Sequence, residues 1–183
     1  MFPQPSIIGN TDLESGFYRI AAFATNRSFI GSQKSLFDLA AFTCATAIEA
    51  KNRVLGGARV WRYRYFGDFN NLRLFPGSGA YHGSDLEMVF GTAQDVSGEE
   101  NSEVENETSA YIMRAWATFA RDPVHGLSNE LKWPAYSVSD DGEENLIRLG
   151  FENQTSASFV SPASSDLQCP ALNGSPDLGK GAM

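Results

Sequence analysis

Cysteine, histidine and positive charge are all scarce in this 183-residue chain, and each shortage excludes something. Its two cysteines, Cys44 and Cys169, cannot by themselves build a metal centre; they are either one pair across 125 positions or two buried thiols. With 14 Lys and Arg against 22 Asp and Glu the formal net charge is −8, which opposes attraction to phosphate backbones and anionic lipid, so no nucleic-acid partner is expected. No apolar run approaches the roughly 18 residues that span a bilayer, and no transmembrane segment is expected. The opening Met1-Phe2-Pro3-Gln4-Pro5 lacks the basic region and apolar stretch of a secretory signal, so these residues are expected to hold no signal peptide. Against that stand Asn26-Arg27-Ser28, Asn106-Glu107-Thr108 and Asn153-Gln154-Thr155, which all fit the N-glycosylation acceptor pattern.

Aromatic residues are plentiful. Thirteen Phe, six Tyr and three Trp in a chain of 42% hydrophobic residues supply a core for one domain, expected over residues 1–170, with a disordered Ser/Pro/Gly-rich tail at 171–183. Pro5 to Asp12 is a short apolar run closing in turn residues, the end of a buried strand. Ser32 to about Val54 has helical spacing, with a break near Thr43-Cys44 and a stop at Gly56-Gly57. Arg59 to Phe66 alternates bulky apolar residues with arginine, the period of a strand. A long Gly/Asn/Pro-rich loop follows, from Gly67 to Gly83. Ser102-Glu103-Val104-Glu105 matches a capping box, opening a helix that puts Tyr111, Ile112, Ala115, Trp116 and Phe119 on one face and closes at Arg121-Asp122-Pro123. Asp140-Asp141-Gly142 reads as a turn before a short strand from Asn145 to Leu149.

With two histidines, a general base has few candidates. His82 lies in the long loop that follows the clearest strand, where a scaffold can hold an imidazole at the carboxyl end of a sheet; His125, in Pro123-Val124-His125-Gly126, reads as a surface turn. Asp12 and Glu14 lie in a second loop beyond a strand end, and residue chemistry alone does not choose between them. A carboxylate beside an imidazole fixes its tautomer and stabilises the imidazolium formed when it takes a nucleophile's proton. Metal binding by His82 with Asp85 or Glu87 is a weaker alternative.

The segments Gly9-Asn10-Thr11-Asp12-Leu13-Glu14-Ser15-Gly16-Phe17-Tyr18, Trp61-Arg62-Tyr63-Arg64-Tyr65-Phe66, Gly79-Ala80-Tyr81-His82-Gly83-Ser84-Asp85-Leu86-Glu87-Met88-Val89-Phe90-Gly91 and Trp116-Ala117-Thr118-Phe119-Ala120 occur in that order. Together they resemble the C-terminal part of a type-B carboxylesterase, most closely the fungal members of that cholinesterase and lipase family, over roughly Ile7 to Trp133. The resemblance implies an α/β class: the C-terminal portion of an α/β-hydrolase fold, an incomplete, mostly parallel sheet with flanking helices. It implies Glu14 as catalytic acid, His82 as catalytic histidine, and pairing of Cys44 with Cys169. Phe17, Tyr18 and Phe23, near the acid, are expected to pack in the core, with the wall of a substrate gorge as the alternative.

In that family the nucleophile is a serine on a Gly-x-Ser-x-Gly elbow. No serine of this chain has that context: Ser128 follows Gly126 but precedes Glu130, and Ser78 and Ser84 have Pro76 and His82 two positions earlier. The expectation is therefore a fragment of a carboxylic ester hydrolase for small-molecule or lipid esters. It would use no cofactor, carry the acid and histidine without the nucleophile, and be inactive alone. The alternative is a non-catalytic cholinesterase-like binding module or a degenerate gene fragment. The resemblance and the acceptor asparagines imply the secretory route.

Overall fold

A computed structural model of the chain describes residues 3–138 and 142–169. The elements run β1 (Ser6–Thr11), α1 (Ser15–Ala24), α2 (Ser32–Phe37), a π-helix (Asp38–Thr43), α3 (Cys44–Leu55), β2 (Val60–Tyr65), α4 (Leu86–Phe90), α5 (Ala93–Ser97), α6 (Glu103–Arg121), α7 (Gly126–Glu130), β3 (Leu146–Leu149), β4 (Ser158–Val160) and α8 (Ala163–Asp166), with short 3₁₀ turns at Asn70–Leu72 and Phe151–Asn153. The four strands form one sheet in the order β1-β2-β3-β4, parallel from β1 to β3 and antiparallel at β4. Every parallel step crosses over through helix, as parallel strands require.

β2 explains most of the layering. Its alternation sends Trp61, Tyr63 and Tyr65 to one face, where Trp61 meets Phe119 and Tyr63 meets Trp116 edge-on at ring distances of 5.9 and 5.3 Å, both from α6. α6 is opened by the expected capping box: Ser102 Oγ accepts from Glu105 N and Glu105 Oε2 accepts from Ser102 N. On the opposite face Val60 packs with Ala50 of α3 and Tyr136. Arg62, also on that face, is buried in an ion pair with Asp166 of α8, its Nη2 donating to Asp166 Oδ1 at 2.8 Å. The sheet thus carries helices on both sides, the arrangement that a central parallel strand buried on both faces demands.

The sheet's left-hand pair is set by one missing side chain. Gly9 lies opposite Tyr63 in the β1–β2 register, and a Cβ there would sit 2.3 Å from the Tyr63 ring. The ring therefore crosses β1, and its hydroxyl donates to Asp85 Oδ2 at 2.7 Å, tying the sheet to the loop that carries His82.

The expected strands at Pro5–Asp12, Arg59–Phe66 and Asn145–Leu149 are present, as is the long helix ending at Arg121. The break near Thr43-Cys44 is a six-residue π-helix ending at Thr43. α1, α4, α5, α7, β4 and α8 had no expectation from the sequence. The turn residues Asp140 and Asp141 and the tail from 171 to 183 lie outside the described residues.

Candidate acid and histidine site

The turn Asp12-Leu13-Glu14 joins β1 to α1, and the loop bearing His82 lies against it. Leu13 N donates to Ala80 O at 2.9 Å, which fixes the two loops side by side. A Cβ at Gly16 would meet Ser78 O at 2.5 Å, so the first turn of α1 approaches the histidine loop to a distance that only glycine permits. Across this joint His82 Nδ1 lies 2.6 Å from Glu14 Oε2. The other carboxylate oxygen, Oε1, accepts from Thr11 N at 2.7 Å, which turns the side chain inward at the head of the helix.

Glu14 is 2% exposed, and burial pushes its carboxyl above the ordinary glutamate value of 4.5, opposed by the hydrogen bond from Thr11 and by His82. Asp12, two residues earlier, goes elsewhere: it pairs with Arg64 across β1 and β2 at 3.0 Å, with its carboxyl raised by burial and held back by Arg64. Of the two acids, Glu14 is the one whose carboxylate reaches the imidazole. The His82 side chain is 46% exposed, and its ring is flanked by Phe42, Tyr18 and Phe17 at centroid distances of 5.2, 5.5 and 6.3 Å. Phe23 stands apart from this cluster and is 83% exposed. His125 is an exposed residue at the start of α7.

Two supporting residues escaped the sequence reading. Asp38, the first residue of the π-helix, accepts from Ser15 N at 2.6 Å and from Ser15 Oγ at 2.8 Å, clamping the residue after Glu14. Phe42, near the end of the same π-helix, touches the imidazole. Widened helical turns of this kind are frequent at functional sites, and here the turn contacts both loops. The available signal was a lone acid among Leu36, Phe37, Leu39 and Ala40, a charge placed where a helix should be apolar. Asp38→Ala would strand two buried donors on Ser15; a loss of roughly 1–3 kcal/mol in urea unfolding is expected, and an unchanged midpoint would contradict the clamp.

Asp85, considered above as a metal ligand, accepts from Tyr63, and among the described residues no group of three His, Cys, Asp or Glu side chains is arranged to hold an ion. Cys44 and Cys169 form a disulfide, with Cα atoms 5.4 Å apart. Of the glycan acceptors, Asn26 and Asn106 are exposed, whereas the Asn153 carboxamide both donates to Asp68 O and accepts from Asp68 N, at 3.2 and 3.0 Å.

Residues 23–166 match the carboxylesterase family. The chain belongs to that family. His82 falls within the matched span and Glu14 just before it. Among curated proteins, this carboxylesterase chain is 30% identical over 160 residues to Secreted lipase 5 of Gibberella zeae, covering 85% of the chain and 29% of the lipase. It is 32% identical over 112 residues to the chlorogenic acid esterase of Aspergillus niger, covering 54% of the chain and 22% of that esterase. The chain therefore spans less than a third of the length of these relatives. Two PNB esterase structures, one of them described as thermophilic, superpose with TM-scores of 0.65 and 0.67 at 21% and 20% identity, covering 88% and 92% of the chain and 37% and 38% of theirs. The fold is accordingly that of the α/β-hydrolases. Among the described residues no helix is long and apolar enough to cross a membrane.

Proposed function

We propose that this carboxylesterase chain supplies the acid and histidine of a serine ester hydrolase, Glu14 and His82, and that the nucleophile comes from outside these 183 residues. The 2.6 Å contact between His82 Nδ1 and Glu14 Oε2 carries this reading. With Nδ1–H donated to the carboxylate, the lone pair of the imidazole lies on Nε2, the nitrogen that can accept a proton. Among the described residues Nε2 has no hydrogen-bond partner.

In this reading Nε2 takes the serine Oγ proton as that oxygen attacks the ester carbonyl carbon. The imidazolium then returns the proton to the leaving alkoxide as the C–O bond breaks and the acyl-enzyme forms. Water repeats the sequence: Nε2 accepts its proton as the oxygen adds to the acyl carbon, and the imidazolium returns the proton to the serine Oγ as the acyl C–Oγ bond breaks and the acid leaves. Glu14 stays ionised and holds the ring. Phe17, Tyr18 and Phe42 give the substrate side of the imidazole an apolar wall suited to an aryl or alkyl ester. The secreted lipase relative and the disulfide support a secretory route; on that route the exposed Asn106 is an acceptor for glycan, and Asn153 is held by its backbone partners.

The test is p-nitrophenyl butyrate turnover by the 183-residue chain and by a chimera joining it to the N-terminal portion of a related carboxylesterase that carries the serine elbow. The chain alone is expected to give no acyl-enzyme burst, and the chimera to turn over with full dependence on His82. A folded chimera that is inactive, or one that His82→Ala leaves untouched, would overturn the reading; the first result would favour a non-catalytic binding module.

A further inference from the structure

A cavity of about 640 Å³, not lined by Glu14 or His82, lies between α1, the segment that follows it and the loop around Phe75. Its walls include Ile20, Phe23, Phe29 and Phe75, and Ile20 and Phe23 are exposed, the latter at 83%. Its charge runs against the rest of the molecule. Acidic side chains outnumber basic ones by 22 to 14 in this chain, yet the cavity is lined by two arginines, Arg19 and Arg27, and by no carboxylate. Among the described residues neither arginine has an acidic partner. The Arg19 guanidinium lies 4.7 Å above the centre of the Phe75 ring. Stacking occupies the face of a guanidinium and leaves its five N–H donors along the edge, free to meet an anion.

We infer that this cavity is a binding site for an amphipathic monocarboxylate, a single carboxylate head on an alkyl or aryl body. The body lies on Phe23, Ile20 and Phe29, and the head meets Arg19 and Arg27. A neutral apolar ligand would leave two unpaired arginines beside it, and a cationic amphiphile would be repelled by both. A carboxylate matches the planar fork of the guanidinium and gains two parallel charge-assisted hydrogen bonds where the geometry closes. The volume lies within the range of small-molecule sites, 300–1,000 Å³ by the usual survey. The site does not depend on Glu14, on His82 or on any ester chemistry, so it stands apart from the hydrolase reading.

The probes are decanoate below its micellar concentration, decyltrimethylammonium with the same tail and the opposite head, and acetate with the head alone. Each is titrated into the 183-residue chain made in a host that adds no glycan, and binding is followed through backbone amide NMR shifts. Decanoate is expected to give saturable shifts centred on residues 19–30 and 75. Acetate is expected to give none, and decyltrimethylammonium to bind at least about tenfold more weakly. R19Q with R27Q should weaken decanoate by about tenfold or more, the scale of one lost charge-assisted hydrogen bond. Phe23→Ser, at a side chain outside the core, should weaken decanoate by removing tail contact, and it keeps the test decisive if the double arginine variant misfolds. Equal affinity for the two head groups, undiminished binding by a folded R19Q/R27Q variant, or shifts centred elsewhere would overturn the inference. So would concentration-dependent shifts of these same amides without ligand that decanoate cannot displace, since they would mean that a second copy of the chain covers the groove.

Discussion

Reducing the Cys44–Cys169 bond is expected to lower the stability of the chain by up to about 5 kcal/mol, the loop-entropy value for a closure of this length. The bond spans 125 positions and encloses β2, β3, β4, α6 and the His82 loop, so almost the whole sheet lies inside the ring it closes. In the oxidised unfolded chain that ring excludes most extended conformations, and reduction restores them. The folded state should change little, because α8 has a second anchor in the Arg62–Asp166 ion pair, buried under the sheet three residues before Cys169. The effect should therefore appear as a lower urea midpoint together with a steeper dependence on urea, since the reduced unfolded chain exposes more surface. Cys44→Ala with Cys169→Ala should reproduce it. A midpoint shift worth under about 1 kcal/mol would show that the reduced chain keeps the loop closed by other means, with the Arg62–Asp166 pair as the first suspect.

The parts of this fold that were legible in the sequence are those where one physical requirement dominates a run of residues. β2 declares itself because its two faces meet different layers, aromatic toward α6 and arginine toward α3 and α8. α6 is declared by a capping box and a five-residue stripe. α1 was not legible: its face carries Phe17 and Tyr18 toward an open aromatic site while Phe23 remains in solvent, so apolar residues appear on both sides and no clean period survives. β4 and α8 are three and four residues long, too short for any pattern to accumulate.

The candidate site divides the same way. His82 stood out because histidine is rare here and its loop is long. Glu14 could not be separated from Asp12 by chemistry, since both are acids in one turn. Only the resemblance favoured Glu14; in the structure Arg64 on the neighbouring strand takes Asp12, while Thr11 N turns Glu14 inward. Asp38 showed only as a lone acid in an apolar stretch, and its role stayed hidden because its partner, Ser15, is 23 positions away and is contacted only through the π-helix.

Glu14→Gln is expected to separate catalysis from stability. In a polypeptide that also carries the serine, turnover should fall by about 10⁴-fold, the scale set by removing the charge that orients a catalytic imidazole. The glutamine can still accept from Thr11 N through Oε1, but it presents an amide N–H where Glu14 presented an acceptor to His82 Nδ1. Nδ1 must then be the unprotonated nitrogen and Nε2 carries the hydrogen, so the ring meets the serine with a donor instead of a base. Stability should move the other way. The folded Glu14 carboxyl is held above 4.5, so the folded state binds its proton more tightly than the unfolded chain does. That contribution is fully present below the unfolded value and is lost as pH rises through the folded one; at neutral pH the ionised side chain is a net cost. Glutamine has no proton to lose. The variant should match the native chain below about pH 4.5 and become the more stable of the two as pH rises toward 7, read as urea midpoints of the 183-residue chain across that range. A variant less stable than the native chain throughout would show that the His82 hydrogen bond outweighs the burial of the charge. An activity loss under about tenfold would remove Glu14 from the orienting role.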